Sequence, residues 1–422
     1  MSNFSYSDGK MCAEGIDITS LAQRIGTPFY VYSEGTLKDN YADFAQAFSG
    51  RDVQICYAVK ANSNQTVISI FRKLGAGADV VSEGEVRRAI KAGIDPQKIV
   101  FSGVGKTMSE LKFAVLVGCG QFNVESVAEL EDLSRIATSL GKKVDIALRV
   151  NPAVDANTHH KISTGRAGDK FGIDFDKIPK IFRRANELTG ISVTGLAVHI
   201  GSQLVGLQPF ERAFNKIKGL VTLLRNEGFV VERIDLGGGL GIPYKDEEPP
   251  LVKDYAALIY KIFDPMQVRL TIEPGRRLTG LSGILVTKVI YLKESGDRKF
   301  AVVDAAMNDL VRPALYDAWH NILPVKENLG ETVTETIDVV GPVCETGDVI
   351  GNQRILPKLR QGDLLAVQAA GAYGAVMSSN YNTRLLIPEV MVSGSKFSII
   401  RRRGSYDDLI NQDIAPEWSL IN

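Results

Sequence analysis

Lys60 closes an apolar run, Gln54-Ile55-Cys56-Tyr57-Ala58-Val59, and is followed by Ala61-Asn62. Lysine is rarely buried without a partner, and neither Val59 nor Ala61 offers one. At the C-terminal end of a buried strand, desolvation lowers an amine's pKa and exposes the neutral form that builds a Schiff base. The bland alternative is a lysine that snorkels, with its stem on the strand and its head in water. Further along, Asp235-Leu236-Gly237-Gly238-Gly239-Leu240-Gly241 gathers glycines, which let backbone N–H groups approach an anion closely. Glu273-Pro274-Gly275-Arg276-Arg277 sets a carboxylate at the end of another apolar run. It needs a cation there, either Arg276 or a protonated ring nitrogen. His199, in Val198-His199-Ile200-Gly201-Ser202, is a satisfied core histidine or an imidazole able to lie flat on an aromatic ring. A lysine for an aldehyde, a carboxylate for a ring nitrogen and glycines for a phosphate together describe pyridoxal 5′-phosphate.

These residues sit at the ends of short apolar runs, each followed by a helix-like stretch. The runs are 53–59, 78–81, 99–101, 121–124, 144–150, 196–200, 233–236 and 269–272. Helical stretches include 82–92, 109–117, 127–140, 178–188 and 210–226. The alternation predicts a parallel sheet, and eight such units suit a closed (β/α)8 TIM-type barrel; a doubly wound open sheet is the alternative. In order, the run ends carry Lys60, Ser82-Glu83, Ser102, Glu125-Ser126, Arg149 with Asn151, His199 with Ser202, Gly237-Gly238-Gly239, and Glu273. In a barrel they converge on one mouth, and the loops after the seventh and eighth strands are the habitual phosphate site.

After Gly283 the texture turns β-rich, at 284–292, 300–304, 332–340, 363–368 and 385–392, which predicts a second, antiparallel domain. Residues 27–32 read as a further strand, so the N-terminal segment is expected to join it. The expected division is a cofactor-binding barrel over 36–280 and a β-domain from 1–35 and 281–422.

Composition narrows the class. Of 422 residues, 45% are hydrophobic and 23% charged, as in an ordinary globular protein. Lys plus Arg equals Asp plus Glu at 49 each, so no basic field invites nucleic acid. No apolar run approaches the roughly eighteen residues of a membrane span, and residues 1–15 lack an apolar signal core, so a cytoplasmic enzyme is expected. Cys12, Cys56, Cys119 and Cys344 are scattered without a CxxC, which suggests neither zinc nor a disulfide framework. His159, His160, Cys12, Cys56 and Cys119 receive no role.

The set of motifs resembles the fold-type III pyridoxal-phosphate decarboxylases, and within them the branch acting on meso-diaminopimelate. The matching segments are Tyr57 to Asn62, His199-Ile200-Gly201-Ser202-Gln203, Asp235 to Gly241, Glu273 to Arg276, Arg312-Pro313-Ala314-Leu315-Tyr316, Gly341-Pro342-Val343-Cys344-Glu345 and Gly371-Ala372-Tyr373-Gly374. The stretch from Asn151-Pro152 to Lys170-Phe171-Gly172 matches the family's fifth-strand loop. The resemblance covers nearly the whole chain and implies the alanine racemase-like architecture of barrel plus β-domain.

It also implies roles. Lys60 carries the cofactor's aldehyde and His199 stacks on its ring. Glu273 holds the ring-nitrogen proton, and Asp79 is a further cofactor-binding residue. Ser202, the backbone of Gly238, Gly239, Gly275 and Arg276, and the Tyr373 hydroxyl hold the phosphate. Arg276, Arg312 and Tyr316 receive substrate carboxylate, with Tyr373 close by, and Glu345 receives the distal ammonium. Cys344 is the acid that protonates the carbanion. The implied reaction is decarboxylation of meso-2,6-diaminopimelate to L-lysine in a homodimer whose sites lie at the subunit interface. A distal amino-acid group needs a cation for its carboxylate and an anion for its amine, and Arg312 with Glu345 suit that pair. The rivals are a decarboxylase of ornithine, arginine or lysine, a racemase on the same fold, and a catalytically silent homologue.

Overall fold

The computed structural model describes residues 3–155, 164–166, 168–327, 333–416 and 418. His159, His160 and part of the loop expected after the fifth strand lie outside the described residues. The chain divides into two units.

Eight short strands of the first unit, Glu34–Ser282 with Gly371–Val376, pair in parallel and close on themselves. They are Val53–Ala58, Gly77–Val80, Ile99–Phe101, Gln121–Val124, Val144–Asn151, Ile191–Val198, Arg233–Asp235 and Arg269–Ile272, and the eighth returns to the first. Most of their residues are buried, which is why the sequence runs are apolar rather than alternating. Between strands run the helices Gln65–Lys73, Glu83–Lys91, Met108–Val117, Val127–Ser139, Ile178–Glu187, Gln208–Asn226 and Val252–Phe263, with Glu34–Ala47 ahead of the first strand. Each packs an apolar stripe inward. On Gln208–Asn226 the stripe is Phe210, Phe214, Ile217, Val221 and Leu224, at the three- and four-residue spacing of one helical face.

Several helices start directly at the barrel mouth, held by their capping side chains. Asn64 accepts from the Thr66 N–H at 3.0 Å, Ser82 from Glu85 at 3.3 Å and Ser126 from Glu129 at 3.1 Å. Ser82 and Ser126, expected among the chemical groups of the mouth, are therefore helix caps. Glu83 likewise pairs with Arg87 one turn along its helix, at 2.6 Å.

In the second unit, a sheet runs in the order Val349–Pro357, Thr334–Val340, Arg298–Val303, Gly283–Ser295, Phe29–Ser33, Glu389–Ser393, Lys396–Arg401. The strand from the N-terminal segment, Phe29–Ser33, pairs with the start of Gly283–Ser295. Phe29, Val31, Ile284, Val286, Ala366, Val390 and Val392 form the apolar core with Met11, Ile18 and Leu21 from the N-terminal segment. The sheet is mainly antiparallel, but two pairings are parallel: Arg298–Val303 with Thr334–Val340, and Glu389–Ser393 with Phe29–Ser33. Neither pair is joined by a hairpin, so no tight turn fixes opposite directions. Among the described residues no helix is long and apolar enough to cross a membrane.

Candidate active site

The first barrel strand ends at Ala58, and a short turn, Val59–Ala61, carries Lys60 over the mouth. Its ammonium meets Asp79 Oδ2 on the neighbouring second strand, and Asp79 is fully buried. Burial alone would lower the lysine's pKa, but Asp79, Glu273 and Tyr373 outweigh it and raise the pKa above the ordinary value. The neutral amine expected from desolvation is thus not the resting form. The partner that makes it an ammonium comes from another strand.

Glu273 follows the eighth strand and is buried, with Oε1 unpartnered among the described residues. Its backbone N–H donates to the Gly237 carbonyl at 2.8 Å, which fixes it against the seventh-strand loop. Burial, then Asp235 and Asp79, push its carboxyl well above the usual range, against the opposing effect of Lys60. Asp235 is held by Asn123 Nδ2 at 2.9 Å and the Gly237 N–H at 3.0 Å. Asp79 Oδ1 is likewise buried without a partner among the described residues.

His199 follows the sixth strand and accepts from the Gly238 N–H at Nδ1, at 3.3 Å. Its remaining proton therefore sits on Nε2. Burial, with Arg149 and Lys60, holds the imidazole neutral well below its usual pKa. Arg149 is itself paired with Glu125 at 2.6 Å inside the mouth.

On the other side of Lys60 lie the glycine loops. A Cβ on Gly238 would fall 2.2 Å from the Glu273 carbonyl oxygen, so only glycine allows the two loops to approach this closely. Gly239 has φ +115°, which L side chains rarely adopt. Arg276 opens a short helix after Gly275; its Nη2 donates to Ser202 Oγ at 3.1 Å and its Nη1 to the Tyr244 hydroxyl at 2.6 Å. The Tyr373 ring lies 4.7 Å from the same guanidinium, and the Tyr373 N–H donates to the Ala61 carbonyl at 2.8 Å.

A cavity of about 540 Å³ gathers Lys60, His199, Ser202, Gly238, Gly239, Glu273, Gly275, Arg276 and Tyr373. A second, of about 1040 Å³, shares Lys60, His199 and Glu273 and reaches Ser102, Asn123 and Arg149. The lining sets a buried carboxyl oxygen on Glu273, without a partner among the described residues, beside glycine loops, a hydroxyl and a guanidinium. A group with a cationic ring nitrogen, an aldehyde within reach of Lys60 and an anionic tail fits these residues, as pyridoxal 5′-phosphate does.

The remaining expected residues lie on the second unit. Arg312 and Tyr316 share one short helix, and Arg312 is buried with Nη1 2.8 Å from His320 Nε2. Cys344 and Glu345 stand exposed in one loop, pinned by Asp348, whose carboxylate accepts from the Val343 and Met307 N–H groups at 2.7 and 2.6 Å. The Cys344 N–H donates to Asn382 Oδ1 at 2.9 Å, and Tyr381 hydrogen-bonds Glu345. Sequence reasoning missed Tyr244, which holds Arg276, and Glu85, which accepts from the Val81 N–H at 2.9 Å and whose pKa is raised to about 7 by burial against the pull of Lys60. Glu85 stands third from the Ser82 cap, so its sequence signal was that of a helix start.

A model of the pyridoxal-dependent decarboxylases, pyridoxal binding domain, matches residues 34–280. The chain is similar to the diaminopimelate decarboxylase of Pseudomonas aeruginosa, 48% identical over 97% of this chain and 98% of that one. Its likeness to the diaminopimelate decarboxylase of Zymomonas mobilis is 47% identity over 98% of this chain and 99% of the relative. The crystal structure of diaminopimelate decarboxylase from Helicobacter pylori complexed with L-lysine matches with a TM-score of 0.91 and 39% identity, covering 94% of this chain and 99% of that chain.

Proposed function

The chain belongs to the pyridoxal-dependent decarboxylases, and from that premise we infer its reaction: it decarboxylates meso-2,6-diaminopimelate to L-lysine and carbon dioxide. The observation that carries this is likeness to diaminopimelate decarboxylases over almost the entire length of both chains. Bound pyridoxal 5′-phosphate supplies an electron sink for the pair left behind as carbon dioxide departs. Lys60 would be its covalent anchor, Glu273 would meet its ring nitrogen, and neutral His199 would stack on its ring. Asp79 keeps Lys60 in place. Ser202, Tyr373 and the N–H groups of Gly238, Gly239, Gly275 and Arg276 hold its phosphate.

Substrate residues come from both units. Arg312 and Tyr316 of the second, with Arg276 and Tyr373 of the first, take substrate carboxylate, and Glu345 takes the distal ammonium. The Cys344 thiol delivers the proton that replaces the lost carboxylate. The 36–280 barrel thus holds the cofactor with help from Tyr373, while the segments 1–35 and 281–422 form the β-domain that contributes Arg312, Tyr316, Cys344 and Glu345. The working form is a cytoplasmic homodimer in which each site is completed by Cys344 and Glu345 of the partner subunit. Carbon dioxide release from meso-diaminopimelate, ornithine, lysine and arginine, measured on protein saturated with pyridoxal phosphate, tests the assignment. Preference for diaminopimelate is expected; preference for a monocarboxylate overturns it.

A further inference from the structure

His320 is fully buried behind Arg312, and its two ring nitrogens have different partners. Nε2 lies 2.8 Å from Arg312 Nη1, and Nδ1 lies 2.8 Å from the carbonyl oxygen of Gln368. A guanidinium can only donate and a carbonyl can only accept. Arg312 therefore donates to Nε2, and the Nδ1–H donates to Gln368. The contacts define one neutral tautomer, since a proton on Nε2 would set two donors against each other.

The acceptor that fixes this tautomer directly follows the strand Leu364–Val367, which pairs with Gly283–Ser295 on one side and Ile322–Pro324 on the other. The Gln368 N–H donates to the Asn321 carbonyl at 2.8 Å, and Asn321 Nδ2 donates to Gln368 Oε1 at 3.1 Å. The chain from strand end to Gln368 carbonyl to imidazole to guanidinium is thus a rigid support with one orientation. A carboxylate in the imidazole's place would aim the guanidinium equally well but would neutralise it. A neutral acceptor aims it without cancelling its charge.

We propose that His320 is a positioning residue for the distal carboxylate of the substrate, acting through Arg312. The proposal rests on the reading of Arg312 as the carboxylate anchor. His320 touches no reacting atom; it sets the plane in which Arg312 presents its N–H groups, and planar pairing with a carboxylate is sensitive to that plane.

Two substitutions in the holoenzyme test it. His320→Asn keeps a donor toward Gln368 but ends short of Arg312, whereas His320→Gln reaches Arg312 with a carbonyl acceptor. The Asn variant is expected to raise KM for meso-diaminopimelate about 10- to 100-fold, as for a lost hydrogen bond to a charged group, with kcat within about threefold. The Gln variant is expected to stay within about threefold of the parent in both constants. Equal KM effects from the two variants, or a loss confined to kcat, overturn the proposal. If the Asn variant does not fold, the Gln variant decides alone, and a KM raised about 10-fold or more overturns it. Arg312→Ala, assayed alongside, separates the two layers. If it leaves KM unchanged, the reading of Arg312 falls and takes the proposal with it; if it raises KM and the Asn variant does not, only the role of His320 falls.

Discussion

Replacing Glu273 with Gln should stabilise the cofactor-stripped chain while removing most of the activity of the loaded one. In the unfolded chain this carboxyl ionises near its usual 4.5, whereas in the fold burial, Asp235 and Asp79 push it well above that value. Above pH 4.5 the native state therefore binds more protons than the unfolded state, and stability falls as pH rises. Each pH unit over which the native carboxyl keeps its proton costs about 1.4 kcal/mol. Glutamine cannot ionise and can still donate to Asp235, so the variant escapes it. Urea unfolding of both stripped proteins between pH 4 and 8 reads the difference. The gap should widen with pH above 4.5, by up to about 1.4 kcal/mol per pH unit, and close as pH falls to the unfolded value. A gap independent of pH, or a variant less stable than its parent at pH 7, refutes the reasoning.

Other perturbations separate the remaining roles. Cys344→Ala should keep the absorbance of bound cofactor yet lose turnover on the order of 10²-fold or more, as for a missing general acid; unchanged turnover removes Cys344 from the mechanism. Mixing Lys60→Ala with Cys344→Ala chains under subunit exchange should restore about a quarter of parental activity, because half the dimers are mixed and each of those carries one intact site. No recovery would mean that each chain builds its own site alone. Gly238→Ala places a Cβ 2.2 Å from the Glu273 carbonyl oxygen and must part the two loops. It should weaken cofactor binding about 10-fold or more in a spectrophotometric titration, and an unchanged affinity would take this loop off the phosphate.

What the sequence reveals here divides by range. The eight barrel strands were legible because strands buried on both faces write continuous apolar runs, and all eight runs coincide with strands to within a few residues. The second unit was harder. Val349–Pro357 mixes buried with exposed residues, Lys396–Arg401 has none fully buried, and they carry Asn, Gln, Lys and Ser, so their hydrophobic pattern is weak. The chemistry of single residues was legible only in part. The Lys60 partner lies nineteen positions away on the next strand, and no local pattern announces it. Ser82 and Ser126 looked like site residues because a cap and a mouth hydroxyl occupy the same place, between a strand and its helix.

The raised pKa of Lys60 and the raised pKa of Glu273 have one cause. Glu273 lines the cavity, and the nearby carboxyls of Asp235 and Asp79 oppose its ionisation. Asp79 and Glu273 hold Lys60 charged, while burial, Asp235 and Asp79 push the Glu273 carboxyl up against the pull of that single ammonium. Two carboxyl oxygens, Asp79 Oδ1 and Glu273 Oε1, find no donor among the described residues. A cation with an N–H entering the cavity could donate to Glu273 Oε1, and a protonated pyridine nitrogen is such a group. The lysine is therefore informative less for its own reactivity than for the excess of carboxyls that surrounds it. That excess costs stability in the stripped chain, and it is the feature that selects a positively charged ring over a neutral one.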